Sequence, residues 1–388
     1  MNNNVSDIVC AVQTVLGRDR GPLSLHEPSF TGNELSYVKD CVESGWVSSV
    51  GKYVDRFEDE LAHYAGVDRA IAVVNGTAAL HVCLKLVGVS AGDEVLIPTL
   101  TFVATANAVS YAGGTPHFVD SEFDTLGVDP LKLEIYLQSI AFISDGQCRN
   151  RETGSVIRAL MPMHVFGHPV DLDALATLCE RWHIALVEDA AESLGSTYKG
   201  RHTGSFGRVA GISFNGNKIV TTGGGGAILT NDPALGARAK HITTTARIPH
   251  KWSFLHDEVG YNYRMPNINA ALGCAQLERL PYILDQKRKL AQKYIEIFAD
   301  VVGAKILPSP SHSNSNYWLI AMLLDKPDLV FRDAVLQKLN DIGFMARPLW
   351  TLLHQLPMYQ NCPRADLSSA ENLEARVINL PSSPFLAN

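Results

Sequence analysis

The sequence lacks the features that mark several broad classes of protein. Its seven cysteines are scattered, odd in number and without a Cys-x-x-Cys pair, which argues against a disulfide framework or a zinc site and favours a reducing compartment. No apolar run reaches the roughly 18 residues of a transmembrane helix. The net charge is -7 with both signs scattered, so no basic stripe suggests nucleic acid as a partner.

The N-terminal region has no basic leader of the kind that begins a secretory signal. Its short apolar run, Ile8–Val12, follows Asp7 and predicts a helix instead. We therefore expect a cytoplasmic protein that does not span a membrane. The composition, 46% hydrophobic and 19% charged over 388 residues, suffices for a large core and predicts two domains or one large α/β unit with an appendage.

Short apolar strands alternate with helical segments in the first part of the chain. Ile71–Val74 precedes a helical stretch over 78–87, and Glu94–Ile97 precedes another that begins near Phe102. Wholly apolar strands are typical of a parallel sheet covered on both faces, whose loops share one edge where ligands bind. The polar segment 147–154 is expected to form a hairpin or an excursion.

After about Asp232 the alternation weakens. The pattern predicts helices over 267–280 and 285–299, with Pro281 kinking or restarting the helix between them. The apolar run Tyr317–Leu324 indicates a strand of a smaller α/β domain.

One lysine stands between a serine that ends an apolar strand and a run of glycines. Ser213-Phe-Asn-Gly-Asn-Lys218 leads to Gly223–Gly226, and an upstream strand ends at Asp189. The neighbours of Lys218 make a solvated surface lysine the weaker interpretation, and a desolvated amine can form a Schiff base. A lysine, phosphate donors and an acid are what pyridoxal phosphate (PLP) requires, so the sequence predicts that cofactor.

Each member of this set has an ordinary structural alternative. Gly76 and Thr77 follow a strand and begin a helix, so they could bind phosphate or simply cap that helix. Phe102 could stack on a ring or belong to the core. Asp189 could pair with a ring nitrogen or cap the next segment, and Ser213 could bind phosphate or form a turn.

The glycine run matches neither common nucleotide-binding fingerprint. Gly223–Gly226 is not a Walker loop, and no Gly-x-Gly-x-x-Gly follows the first strand, which argues against a dehydrogenase. We interpret the run as a flexible or close-packed approach to the cofactor. His164 and His168 flank a glycine turn, but no further ligands have a suitable spacing, so no metal site is predicted.

These motifs give the chain a family resemblance. From about Pro28 to Pro384 it resembles the PLP-dependent sugar-nucleotide aminotransferases of the DegT/StrS class, fold type I. The resemblance implies a mostly parallel seven-stranded sheet in a large PLP-binding domain over 25–265, an N-terminal helical arm over 1–24 and a small C-terminal α/β domain over 266–388. The matching motifs are Val74-Asn-Gly-Thr-Ala-Ala-Leu80, Thr101-Phe-Val-Ala-Thr105, Glu188-Asp-Ala-Ala-Glu-Ser193, Ser213-Phe-Asn-Gly-Asn-Lys218 and Gly260-Tyr-Asn-Tyr-Arg-Met265.

The resemblance implies a role for each matched position. Lys218 would bind the cofactor covalently and carry the proton, and Asp189 would pair with the pyridine nitrogen. Asn262 would reach the cofactor of the neighbouring subunit, which implies a homodimer with shared sites. The other implied cofactor-binding positions are Gly76, Thr77, Ala78, Phe102, Glu192 and Ser213.

The chain departs from the class pattern at two places. Many members carry Gln or His where this chain has Glu192, near the phenolic oxygen of the cofactor. A carboxylate there would be repelled by a phenolate, so we expect Glu192 to be protonated or to turn away. Many members also carry Thr-Gly-Glu-Gly-Gly where this chain has Thr222-Gly-Gly-Gly-Gly226, so any role of that glutamate cannot be carried over.

A finer resemblance concerns the substrate. It points to enzymes of bacillosamine- and legionaminic-acid-type pathways (EC 2.6.1.34), which aminate C4 of UDP-4-keto-6-deoxy-N-acetylhexosamines. L-glutamate would be the donor, in ping-pong kinetics. The features behind it are Leu25-His-Glu-Pro28, Met163-His-Val-Phe-Gly-His-Pro169, Gly223–Gly226, Arg347-Pro-Leu-Trp350 and Leu380-Pro-Ser-Ser-Pro384.

Several alternatives stay open. The acceptor could be another nucleotide-linked ketosugar, with dTDP or GDP and with the keto group at C3 or C4, or the chain could be a non-catalytic regulator on the same fold. PLP-dependent dehydratases of this class carry histidine at the Schiff-base position, so Lys218 argues against one. Candidate substrate contacts, each of which could equally be an ordinary surface or core residue, are His164, Asn217, Tyr317, Arg347 and His354.

Overall fold

A seven-stranded sheet forms the centre of the larger part of the molecule. The computed structural model describes residues 2–18 and 20–387, and the sheet order is β1-β7-β6-β5-β4-β2-β3. β7 is antiparallel to β1 and β6, and the other neighbouring pairs are parallel. The predicted, mostly parallel α/β sheet is therefore confirmed. Its strands are β1 (Arg69–Val73), β2 (Glu94–Pro98), β3 (Thr115–Val119), β4 (Ile157–Leu160), β5 (Ala185–Asp189), β6 (Val209–Ser213) and β7 (Gly226–Thr230).

Helices cover both faces of this sheet, which explains its wholly apolar strands. Ala227 and Leu229 of β7 lie in the core beneath α3 and α9, whereas Ile228 lies in the opposite core beneath α4 and α8. The helices are α1 (Asn2–Leu16), α2 (Glu34–Ser44), α3 (Lys52–Ala65), α4 (Gly76–Leu86), α5 (Val103–Tyr111), α6 (Pro130–Ile140), α7 (Leu172–Trp182), α8 (Pro233–Thr243), α9 (Asn267–Phe298), α10 (Leu329–Asp341) and α11 (Ser368–Glu374).

The smaller part contains an antiparallel sheet in the order β8-β9-β11-β10. The predicted N-terminal helix is present as α1, and its buried Ile8 and Val12 share a core with Tyr294 of α9 and Leu339 of α10. The proposed division at 24 and 265 stays a prediction, and residues 1, 19 and 388 of those ranges lie outside the described residues. The strands are β8 (Ala304–Ile306), β9 (Ile320–Leu324), β10 (Arg347–Pro348) and β11 (Val377–Leu380).

The predicted restart of the helix at Pro281 is wrong. α9 continues through that proline for 32 residues. Proline removes one backbone hydrogen bond, but Leu280, Ile283 and Leu284 are all buried next to it. All three pack in one hydrophobic core, which offsets the local cost, because helical stability in proteins comes mainly from tertiary packing.

Other local predictions agree with the structure. Asp171 caps α7 by accepting a hydrogen bond from the Ala174 N–H. The polar segment after α6 is a hairpin of Ala141–Ser144 with Gln147–Asn150. Among the helices of the described residues, none combines the length and the apolar character that crossing a bilayer requires.

Candidate active site

Three strand ends meet at one edge of the large sheet, as parallel strands dictate. Asp189 ends β5, Ser213 ends β6, and the turn after β1 leads into α4. A cleft of about 310 Å³ lies at this edge. The predicted site residues that line it are Gly76, Thr77, Phe102, Asp189, Glu192, Ser213, Asn217 and Lys218.

The start of α4 carries the features of an anion-binding site. Asn75, not Thr77, caps the helix, and its side chain accepts a hydrogen bond of 2.8 Å from the Ala78 N–H. Among the described residues, no acceptor contacts the N–H groups of Gly76 and Thr77 or the Thr77 hydroxyl. Unbonded N–H groups at a helix N-terminus favour phosphate. The N–H of Ala78 is already used by the cap, so the structure does not support Ala78 as a cofactor contact.

Ser213 lies directly against this helix start. A Cβ atom on Gly76 would come within 2.8 Å of the Ser213 Cβ, so only glycine allows the two backbones to approach this closely. The Ser213 hydroxyl accepts one long hydrogen bond of 3.4 Å from the Asn215 N–H. The turn predicted as the alternative role is therefore present, and it leaves the hydroxyl's own proton available to a ligand.

Asp189 is a buried carboxylate at the floor of the cleft. Its Oδ2 accepts a hydrogen bond of 2.7 Å from the Thr105 hydroxyl, and its Oδ1 accepts one of 3.2 Å from the Ala191 N–H. Burial raises the pKa of Asp189, and the bond from Thr105 and the charge of Lys218 oppose that rise. A protonated ring nitrogen in the cleft would supply the cationic partner that this carboxylate needs.

Lys218 is desolvated between an acid and an aromatic ring. Its Nζ lies 3.2 Å from the Glu192 Oε1 and 3.7 Å from the centre of the Trp318 ring, and its side chain is 14% exposed. The other Glu192 oxygen accepts a hydrogen bond of 2.9 Å from the Phe166 N–H. Burial raises the pKa of Glu192 to about 7, and Lys218 opposes the rise. Glu192 has thus not turned away from the cleft.

Aromatic rings from separate segments of the chain line one side of the cleft. Phe102 is 49% exposed rather than part of the core, and its ring lies 6.3 Å from that of Trp350. Trp350 also packs 5.1 Å from Phe166. Tyr317 and Arg347 were predicted as substrate contacts, whereas Trp318 and Trp350, which lie close to them in the sequence, were not singled out. The mixed aromatic and polar segments that contain them were the available signal.

Two of the four glycines in the run, Gly225 and Gly226, are close-packed. A Cβ atom on Gly226 would lie 2.5 Å from the Asn75 carbonyl oxygen, and one on Gly225 would overlap the Thr222 hydroxyl. None of the four glycines lines the cleft. The run instead lets β7 pack against the turn before α4, which fixes the position of the anion-binding helix start.

Three predicted substrate contacts are not in the cleft. His164 is fully buried, donates to Glu188 over 3.1 Å and accepts from the Val170 N–H. The Tyr317 hydroxyl is buried and accepts a hydrogen bond from the Ser309 N–H. His354 lies 2.8 Å from the Thr99 hydroxyl, outside the cleft. These rings support loops around the site. A short polar motif in a sequence does not show whether its side chains support a loop or contact a ligand.

The remaining predicted residues lie around the cleft. Asn217 lines both this cleft and an adjoining one of about 490 Å³, which Arg347 also lines. Trp318 and Trp350 are shared by the two clefts in the same way. Asn262 is exposed, lies outside this cleft and accepts hydrogen bonds from Arg264.

The sequence as a whole can be compared with known protein families. The DegT/DnrJ/EryC1/StrS aminotransferase family matches residues 28–388. The chain belongs to this family. Aminotransferases of the DegT family depend on PLP, and the cleft fits that group because it brings together a lysine amine, a buried carboxylate and a helix start with unbonded N–H groups. The predicted cofactor and fold type I are thereby confirmed.

Individual relatives give the family a sugar-nucleotide character. GDP-perosamine synthase from Escherichia coli O157:H7 is 36% identical over 366 residues, covering 94% of both chains. The dTDP-4-dehydro-2,3,6-trideoxy-D-glucose 4-aminotransferase of Saccharopolyspora spinosa is 30% identical, covering 94% of this chain and 92% of that one. The structure of the aminotransferase TlmJ from Streptoalloteichus hindustanus has a TM-score of 0.84 at 28% identity and covers 93% of this chain and 94% of that one. This DegT-family chain is therefore a sugar-nucleotide aminotransferase, and closeness to UDP-bacillosamine-type enzymes is not confirmed.

Proposed function

We propose that this aminotransferase moves the amino group of L-glutamate to C4 of a nucleotide-linked 4-ketosugar, with a GDP-linked sugar as the first candidate. The observation that supports the transfer is the convergence of Lys218, Asp189 and the α4 start in one cleft. The nucleotide and the position follow the names of the GDP- and dTDP-sugar relatives. The UDP-linked N-acetylhexosamine expected from the sequence motifs becomes the second candidate.

Each residue that lines the cleft has its own role in the proposed reaction. When bound, PLP supplies an aldehyde that accepts amino groups and a ring that withdraws electrons. Gly76, Thr77 and Ser213 would hold its phosphate, and Asp189 would keep its ring nitrogen protonated. Lys218 would supply the amine that holds the cofactor and would act as the base that moves the proton. Phe102 would bound the ring on the open side of the cleft.

A lysine that carries a proton during the transfer needs a nearby group that can hold that proton. Glu192 meets that need, since its oxygen lies 3.2 Å from the Lys218 Nζ and its pKa is raised to about 7. A pKa near the working pH suits repeated proton exchange. We therefore assign Glu192 to positioning Lys218 and holding its proton, rather than to repelling the phenolic oxygen.

The proposal includes a homodimer in which Asn262 serves the partner's site. Asn262 is exposed and outside its own cleft, and the same segment exposes Trp252, Phe254 and Val259. Mixing a Lys218→Ala subunit with an Asn262→Ala subunit should restore activity, because one site of the mixed dimer has both residues intact. Two inactive variants that stay inactive when mixed would contradict shared sites.

A cytoplasmic location remains an expectation that rests on the composition of the sequence.

The deciding experiment follows the cofactor absorbance of the purified holoenzyme. L-glutamate should change the spectrum, and subsequent addition of GDP-, dTDP- or UDP-linked 4-keto-6-deoxysugar should restore it only for the true acceptor. Mass spectrometry of the product would locate the amine at C4 or C3. A spectrum that glutamate changes but that no ketosugar restores would overturn the proposed acceptor class.

A further inference from the structure

The cleft that adjoins the cofactor site is mostly apolar but has a small polar group of residues. Its walls include Phe166, Trp318 and Trp350, and no acidic residue lines it within the described part of the chain. Sites that bind small molecules typically combine apolar walls with a few convergent polar groups. Ser24 and Asn217 also line this cleft. His26 and the pair Arg347 and Asn379 form a group that we call the polar floor.

The polar floor is assembled by three separate segments. Arg347 of β10 lies directly opposite Asn379 of β11 in an antiparallel register, so their side chains share one face. His26 comes from the N-terminal segment, which is fixed to the chain after β11 by the Ser382 N–H donating to the Leu25 carbonyl over 2.7 Å. The fold therefore brings these three side chains together at one place.

Two members of the polar floor are buried without partners. His26 is 8% exposed and Asn379 is 4% exposed. Both ring nitrogens of His26 and the Asn379 side-chain oxygen lack a hydrogen bond among the described residues. Buried polar atoms are nearly always bonded, so unpartnered atoms that line a cleft indicate groups kept for a ligand.

The charge of the cleft selects the kind of ligand. Burial lowers the pKa of His26 well below its ordinary value, and Lys287 and Lys218 lower it further. A backbone contact with Asn217, which falls short of hydrogen-bond geometry, opposes them. The ring is therefore neutral and offers one donor and one acceptor, as hydroxyl groups require. Arg347 is exposed at the cleft and has no acidic partner among the described residues, so it can bind an anion.

We propose that the polar floor determines specificity for the nucleotide sugar, with His26 and Asn379 binding hydroxyls of the hexose and Arg347 binding the diphosphate. This inference rests on the proposed function and assigns its acceptor to a defined place. Trp318 and Trp350 line both clefts, so a hexose between them would lie next to Lys218. Their rings also offer flat apolar surfaces to the C–H faces of a sugar.

The test compares three variants with a charge-matched control. His26→Leu and Asn379→Leu remove polar atoms that have no partner. Arg347→Met removes one positive charge from the cleft. The control, Lys338→Met, removes one positive charge from an exposed position elsewhere. Binding of GDP-mannose and of GDP alone to each holoenzyme is read from tryptophan fluorescence. The glutamate half-reaction is followed separately by the cofactor absorbance.

The expected pattern separates the three roles. His26→Leu and Asn379→Leu should weaken GDP-mannose binding by roughly tenfold or more and leave GDP binding unchanged. Arg347→Met should weaken both ligands, and Lys338→Met neither. All four variants should keep the glutamate half-reaction, and the two leucine variants should melt no lower than wild type because they lose only unbonded atoms.

Three results would overturn the inference. Loss of the glutamate half-reaction with sugar binding intact would assign the cleft to the amino donor. A large drop in melting temperature for His26→Leu would make that ring structural, and unchanged sugar binding in all variants would remove the polar floor from recognition. Failure of the proposed function shows itself earlier and differently, as wild-type enzyme that transfers nitrogen to no ketosugar in the panel.

Discussion

The amine of Lys218 donates a hydrogen bond of 3.2 Å to the carboxylate of Glu192, and both side chains are withdrawn from solvent. The second oxygen of Glu192 is fixed by the Phe166 N–H, so this acid has a single orientation. Phe166 itself has a φ of 53°, an unusual value for a non-glycine residue, and its burial between aromatic rings holds it there. A strained loop that lies far from the lysine in sequence thus fixes the acid that contacts its amine.

The raised pKa of Glu192 predicts a pH-dependent stability of the cofactor-free protein. The pKa rises from 4.5 in the unfolded chain to about 7 in the folded one, so folding takes up a proton between these values. The contribution of Glu192 is therefore most favourable below 4.5 and is lost as the pH rises through 7. Glu192→Gln should gain up to about 3 kcal/mol relative to wild type between these limits, measured by urea unfolding across the range.

The coupling to Lys218 provides the control for this prediction. Lys218 lowers the pKa of Glu192, so in a Lys218→Met background the same transition should lie at higher pH. A difference between Glu192→Gln and wild type that does not vary with pH would show that burial does not govern this acid.

Substitution of Lys218 tests the nucleophile. Lys218→Ala should abolish turnover and leave the melting temperature nearly unchanged, because the amine binds the cofactor while Trp318 and Glu192 are held by other contacts. The control is Lys199→Ala, which removes an exposed lysine paired with Asp173. The measurement is the steady-state rate of transamination. A rate retained in Lys218→Ala would contradict the assignment of Lys218 as the nucleophile.

The hydrogen bond from Thr105 to Asp189 leads us to expect that Thr105 affects catalysis. The Thr105 hydroxyl donates 2.7 Å to the Asp189 carboxylate, and the Thr101 hydroxyl lies 2.8 Å behind it. Thr105→Val should raise the pKa of Asp189 further and slow both half-reactions by about ten- to hundredfold, since a buried carboxylate loses a donor. Thr101→Val should slow them much less, and equal effects of the two variants in single-turnover kinetics would exclude this hydrogen bond as the cause.

Local chemistry explains what the sequence could predict. The sheet follows from short apolar strands, and Asp189 and Ser213 follow from polar residues at strand ends that share one edge. Lys218 stands out because a lysine between glycines and small polar residues has few structural roles. Each of these inferences depends on a few neighbouring residues, and the backbone geometry of a parallel sheet supplies the rest.

Tertiary contacts explain what it could not predict. Trp318 reaches the cleft from a segment far beyond Lys218 in the sequence, and His26 reaches the second cleft from the N-terminal segment. His164 lies in a motif beside the site, yet its ring is buried against Glu188. Whether a polar side chain faces a ligand or a neighbour depends on packing that separate segments determine together.

Replacement of Gly226 or of Gly224 by alanine should change the stability of the fold in opposite directions. A Cβ atom on Gly226 would lie 2.5 Å from the Asn75 carbonyl, whereas one on Gly224 would meet nothing within 4 Å. Gly226→Ala should therefore destabilise the fold by about 1–3 kcal/mol and weaken PLP binding, because it forces β7 away from the start of α4. Gly224→Ala should change stability by less than about 1 kcal/mol, in the stabilising direction.

Thermal unfolding and PLP titration of the two alanine variants distinguish packing from flexibility as the role of the run. If the glycines provided flexibility, both substitutions would weaken cofactor binding to a similar degree. If they permit close packing, only Gly226→Ala should do so, since its neighbour is the backbone that precedes Gly76 and Thr77. The open space at Gly224 leaves room for a larger side chain, because a Cβ there meets no atom of its own subunit's fold within 4 Å.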